Sequence, residues 1–219
     1  MPGVLGNITI GAFISWFLRG VMVALLPYQL YLGQYPFAAL TLLAIVLSAA
    51  PALIERSYQV HLPFELDMLI TVAIFAHTFF GEWLSFYDRL PGWDKALHFY
   101  STGVVALFGF LMVYTLHYTR KIRLSILLVG FFSVVFSVFI GVLWEFMEFW
   151  MDVLFGTHMQ NGLSDTMWDL MFDVVGGTLV AVLGMVYVRY TNPETRRRLA
   201  RPLAHVLKWV SRQGQREDD

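Results

Sequence analysis

Cysteine is absent from the 219-residue chain, which removes disulfides, thiolate metal sites and cysteine nucleophiles. Charge is scarce as well, at 14% of residues, where soluble domains carry ~25%. There is no Gly-rich phosphate loop, no nucleophile elbow and no His-Glu-x-x-His zinc motif, and nothing supports a nucleic-acid role. Internal repeats and matched pairs of interrupted helices, common in transporters, are missing too. What is present is apolar: 58% of the chain is hydrophobic, more than a soluble fold of this size can hide.

Apolar windows fall at roughly 8–32, 37–54, 64–87, 93–118, 124–153 and 164–190. Most reach the ~20 residues that cross a bilayer, and uncompensated backbone in hydrocarbon leaves helix as the only open-ended solution. The expected fold is all-α, a polytopic transmembrane bundle of about six helices. Window 37–54 is marginal and suits a short or re-entrant helix, so five spans stay open as an alternative. Residues 1–190 read as the transmembrane domain and 191–219 as a basic, partly amphipathic tail. The N-terminus lacks a basic n-region, carries Arg19 in its first apolar stretch and shows no small-residue cleavage site, which reads as a retained helix.

Arg56, Arg120, Lys121, Arg123, Arg189 and Arg196 to Arg198 fall on one side of a six-helix arrangement, against Arg89 and Lys95 on the other. Both termini are therefore expected in the cytoplasm. The tail repeats Leu199, Leu203, Val206, Leu207 and Val210 at helical spacing, with Arg201, Lys208 and Arg212 between them. It reads first as a topology signal and second as a segment lying on the anionic inner leaflet. Pro202 argues against one unbroken helix.

Nine of the sixteen acids, Glu82, Asp88, Asp94, Glu145, Glu148, Asp152, Asp165, Asp169 and Asp173, crowd into the outer half of this arrangement. Their spacing is helical: Asp94 and His98 are four apart, Glu145, Glu148 and Asp152 follow i, i+3, i+7, and Asp165, Asp169 and Asp173 repeat every four residues. Ionisable groups at membrane depth are costly unless paired, hydrated or coordinating a cation. Taken singly, span-end acids such as Asp88, Asp94, Asp152 and Asp165 suit hydration at the headgroups, and His77 suits a hydrogen-bonded core histidine. Taken together, three converging acidic stripes require a metal ion, shared protons or the basic groups Arg89, Lys95 and Arg19. Glu65 and Asp67 read as interfacial at the opposite end, and Arg19 as either snorkelling or paired with an acid. Gly176, Gly177, Ala181 and Gly184 read as packing. Trp83, Trp93, Trp144, Trp150 and Trp168 read as an aromatic belt.

The block Trp93-Asp94-Lys95-Ala96-Leu97-His98-Phe99, then Trp144-Glu145-Phe146-Met147-Glu148-Phe149, then Asp165-Thr166-Met167-Trp168-Asp169-Leu170 resemble, in order, three signature blocks of the YjdF-like bacterial inner-membrane proteins. His77 and Gly81 fit the segment preceding them, and the resemblance covers roughly residues 65–185. Ser164 departs from it, standing where an aromatic residue is expected. A more distant similarity is to the VanZ-like proteins linked to glycopeptide-antibiotic resistance. The resemblance implies a multi-pass helical protein of the inner membrane and names no reaction.

Three functions compete on these residues. The first is a metal-dependent membrane hydrolase or transferase acting on a lipid or lipid-linked envelope substrate. In it His98, Glu145, Glu148, Asp165, Asp169 and Asp173 would hold Zn²⁺, Mn²⁺, Fe²⁺ or Mg²⁺, and His77 or Asp94 would serve as base. The second is a proton- or cation-coupled transporter or channel. The third is a non-catalytic scaffold whose polar interior specifies packing.

Overall fold

The structure, a computed structural model, describes residues 9–217. The expectation about a basic n-region therefore falls mostly outside it, as do the side chains of Val210 and Arg212. The described chain is helical from end to end: α1 (Ile10–Tyr31), α2 (Tyr35–Tyr58), α3 (Leu66–Phe75), a short α4 (Phe86–Arg89), α5 (Trp93–Tyr118), α6 (Ile126–Phe155), α7 (Leu163–Tyr190) and α8 (Pro193–Glu217).

Local chemistry explains several of these boundaries. Thr9 caps α1 by accepting the Ala12 N–H at 3.1 Å, and Ser125 caps α6 by accepting the Leu128 N–H at 3.3 Å. Pro36 opens α2, where a missing N–H costs nothing, and Gln59 closes it in the left-handed region at φ 52°. Past Phe75, α3 widens into a π-helix over Ala76–Trp83, whose last turn is marked by the Leu84 N–H donating to the Phe79 carbonyl at 3.0 Å, five residues back.

Among the described residues, six helices are long and apolar enough to cross a membrane. Marginal window 37–54 is in fact a full 24-residue helix of mean hydropathy 2.4, which removes the five-span alternative. α5, α6 and α7 pack on one another most extensively, and α1, α2 and α3 form a second group joined to them through α3 and α5. The close fit of α5 and α7 depends on glycine: a Cβ on Gly176 would collide with the Phe99 carbonyl, and one on Gly103 would lie 3.2 Å from Val180. Phe131, Phe139 and Leu183 lie on the outside, more than half exposed, as lipid-facing residues do.

Arg19 decides between its two readings in favour of pairing with an acid, and the partner is Asp67. The guanidinium is buried, donating from Nη2 to the Ser48 carbonyl, to the Asp67 carboxylate and, at 2.8 Å, to Thr71 Oγ1. One cation on α1 thus engages oxygens on both α2 and α3. One expectation is corrected: α8 runs unbroken through Pro202. Leu199, Ala200 and Leu203 are buried with Leu62, Leu66, Phe110, Leu111, Tyr114, Val129 and Val188. Packing on the end of the bundle holds the helix across the proline, and this part of its apolar face meets protein.

Candidate functional site

At the end of the bundle opposite α8, three helices bring acids around one histidine. α5 places Asp94, His98 and Thr102 on one face, four residues apart, and α7 does the same with Asp165, Asp169 and Asp173. His98 Nδ1 sits 3.1 Å from Asp173 Oδ1, and the Thr102 hydroxyl donates to that same oxygen. This anchoring turns Nε2 toward the other acids, 3.6 Å from Glu145 Oε1 and 3.8 Å from Asp94 Oδ1. Asp94, His98 and Asp169 each offer one ligand atom, all within 4.8 Å of one another.

The charge around this trio is only partly answered. Lys95 Nζ pairs with Asp165 and lies 3.6 Å from Asp169 Oδ1. Glu145 Oε1, Asp169 Oδ1 and Asp173 Oδ2 are buried without a hydrogen-bond partner, on side chains 4%, 2% and 0% exposed. Glu145 Oε1 and Asp169 Oδ1 have only the longer contacts to His98 and Lys95, and Asp173 Oδ2 has no partner among the described residues; a buried polar group left wholly unanswered costs about 1–3 kcal/mol. The Asp173 oxygen is close against Gly141 of α6, where a Cβ would collide with it. Glycine there lets α6 reach the carboxylate.

Some expected members stand apart. Asp165 is engaged by Lys95 and by Asn161 Nδ2 at 3.2 Å. Asp152 builds the loop after α6, accepting from Thr157 Oγ1 at 2.6 Å and from the Met159 and Gln160 amides at 2.8 and 3.0 Å. Glu148 is buried and accepts the Trp144 indole N–H at 2.8 Å. Trp144 therefore points inward, its ring against His77 at 4.7 Å between centroids, and does not belong to a lipid-facing belt. Trp150 and Trp168, each more than half exposed, keep that orientation.

Tyr87 is the residue the sequence reading missed. Its hydroxyl meets His77 Nδ1, and its phenol is pushed well above the usual range, first by burial and then by the charges of Asp94, Glu82, Glu148 and Asp169. Gly81 makes room for it: a Cβ there would run into the Tyr87 ring. His77, Glu82, Tyr87, His98, Trp144 and Asp173 all border one cavity of about 420 Å³.

Fold and site together define a multi-pass helical membrane protein with a carboxylate and histidine cluster at one end. More particularly, residues 14–190 match the family described as "Predicted membrane protein (DUF2238)", and the chain belongs to that family. It is also similar to a protein of Thermotoga maritima described as "Uncharacterized protein", 35% identical over 130 residues, which are 58% of this chain and 65% of the relative. The match thus spans slightly less than two thirds of that relative's length. No solved structure matches the chain.

Proposed function

We propose that Asp94, His98 and Asp169 bind one divalent cation, with Glu145 as a fourth ligand, and that the protein is a metal-dependent hydrolase or transferase acting on a lipid or lipid-linked envelope substrate. The observation that carries this reading is the trio's ligand atoms within 4.8 Å of one another, beside buried carboxylate oxygens on Glu145 and Asp169 that accept no hydrogen bond among the described residues. One imidazole with carboxylates suits Zn²⁺, Mn²⁺ or Fe²⁺, and Mg²⁺ if the oxygens dominate. Asp173 orients the imidazole from behind, as carboxylates do for metal-binding histidines. In this assignment Asp94 is a ligand rather than a base, Asp165 neutralises Lys95, and Glu148 lies in the outer part of the site. His77, held by Tyr87 at the cavity wall, is the candidate general base. A divalent ion supplies Lewis acidity to a substrate oxygen.

The same proposal carries a topology: residues 1–190 in the inner membrane of a bacterial cell, both termini and the 191–219 tail in the cytoplasm, and the site facing outward. The Lys and Arg distribution supports it. So does the likeness of the three acidic blocks to YjdF-like inner-membrane proteins. A through-path for ions is disfavoured, because Phe110, Leu111, Tyr114 and Val129 close the bundle below the site, each at most 3% exposed.

Lys95 favours one second reading. Its pairing with Asp165 and proximity to Asp169 would partly neutralise the cluster in a purely structural scaffold. Elemental analysis of protein purified in mild detergent without chelator separates the two. The metal reading expects a stoichiometric divalent ion that is lost in Asp169→Asn and in His98→Ala with helicity unchanged. Ion-free wild-type protein overturns it.

A further inference from the structure

The cavity beside the site is larger than a bound ion requires. Its volume of about 420 Å³ falls within the ~300–1,000 Å³ of small-molecule pockets. Away from the acids its walls are apolar, with Leu43, Ala44 and Leu47 of α2 facing Ile140, Leu143 and Met147 of α6.

The position of these residues shows where the cavity opens. Leu43, Leu47 and Leu143 border it and are also 50%, 52% and 44% exposed on the outer surface. Side chains that are at once cavity wall and outer surface form a rim. α2 packs against α1 and α3, while α6 packs against α5 and α7, so the rim lies on the seam between the two groups of helices. It also lies near the middle of both helices, at the depth of hydrocarbon. What meets such an opening in a membrane is an acyl or prenyl chain.

Part of the lining is polar. Gln29 Oε1 and Asp173 Oδ2 lie on side chains that border the cavity, and both atoms are buried without a hydrogen-bond partner among the described residues. His77, Tyr87 and His98 border the cavity as well. His98 is the member of the Asp94, His98 and Asp169 trio that borders the cavity, and a divalent ion held by the trio would make the polar lining around it attract an anionic oxygen ligand. Without the ion the carboxylates repel one.

We infer that the cavity takes the single apolar chain of a bilayer amphiphile with a phosphate headgroup, which enters between α2 and α6 and presents its phosphate to the Asp94, His98 and Asp169 site. The chain-binding half rests on the cavity alone, and the headgroup half rests on the metal reading.

Trp144 in the cavity wall supplies a native probe. The full chain, reconstituted in phosphatidylcholine nanodiscs, is titrated with a chain-brominated monododecyl phosphate. The Trp144 signal is taken as the difference between wild type and Trp144→Phe. Saturable quenching that requires a divalent ion is expected. Overfilling the slot with Ala44→Phe should weaken it by about tenfold or more, as overpacking of ~1–3 kcal/mol implies, while metal content is unchanged. Ala73→Phe narrows the same cavity from α3 and serves if the first variant does not fold. Brominated dodecanol should bind at least about tenfold more weakly than the phosphate, one charge-assisted contact being lost. Metal-loaded protein with no saturable quenching, or equal affinity for alcohol and phosphate, overturns the inference and leaves the ion site standing. Saturable quenching in a protein that holds no ion supports the chain slot and overturns the metal reading.

Discussion

Around Arg19, a cation from α1 meets the Ser48 carbonyl, the Thr71 hydroxyl and the Asp67 carboxylate, and one ionic group knits three helices. Around His98, acids outnumber cations, and three buried carboxylate oxygens have no hydrogen-bond partner. Both clusters sit among apolar helices, where unpaired charge is costly. The difference is one of pairing: in the first, one cation reaches oxygens of both neighbouring helices, whereas in the second, acids crowd around one imidazole and one ammonium.

The comparison breaks most sharply at Arg19. Arg19→Met should destabilise the bundle by about 3 kcal/mol, because it leaves the partly buried Asp67 unpaired, and adding Asp67→Leu should restore most of the loss. Unfolding in mixed micelles measures both, and an unchanged midpoint in the single variant would show that the cluster ties nothing. In the second cluster Asp173→Asn should lower divalent-ion affinity by about 10–100-fold through loss of the carboxylate behind His98, read by competition with a chelating dye. Asp152→Ala sharpens the boundary of that cluster: ion content should be unchanged while stability falls by about 1 kcal/mol with the loop's hydrogen bonds. The smallest effect belongs to the exposed pair Arg198 and Glu194, whose removal should leave the unfolding midpoint where it was.

Much of the fold could be read from hydropathy alone. Window 93–118 coincides with α5, and window 164–190 differs from α7 by one residue, because these stretches are long and bounded by polar turns. Window 37–54 read short because Glu55 and Arg56 dilute its end, although they continue the helix. The stripes of acids were equally legible, since Asp94 with His98 and Asp169 with Asp173 each follow from a four-residue step. Their sorting was not. Asp152 repeats in phase with Glu145 and Glu148 yet turns to its own loop, and Trp144 lies one turn from Glu148 on an inward face that composition cannot distinguish from a belt. The Arg19 and Asp67 pairing spans 48 residues and depends on how α1, α2 and α3 cross, a tertiary fact without local pattern.

Tyr87 escaped for a different reason, which lies in the π-helix of Ala76–Trp83. A π-turn accommodates one residue more than the α-turn it replaces, so everything beyond it is out of phase with the upstream pattern by about 100°. A single-codon deletion inside the stretch, at Phe79 for example, would return the segment to α-helical winding and turn Gly81 around the axis relative to His77, away from the Tyr87 ring that packs on it. This one surplus amino acid sets the angle at which Gly81 receives the Tyr87 ring beside His77, and losing it would part that pair and turn Glu82 with it.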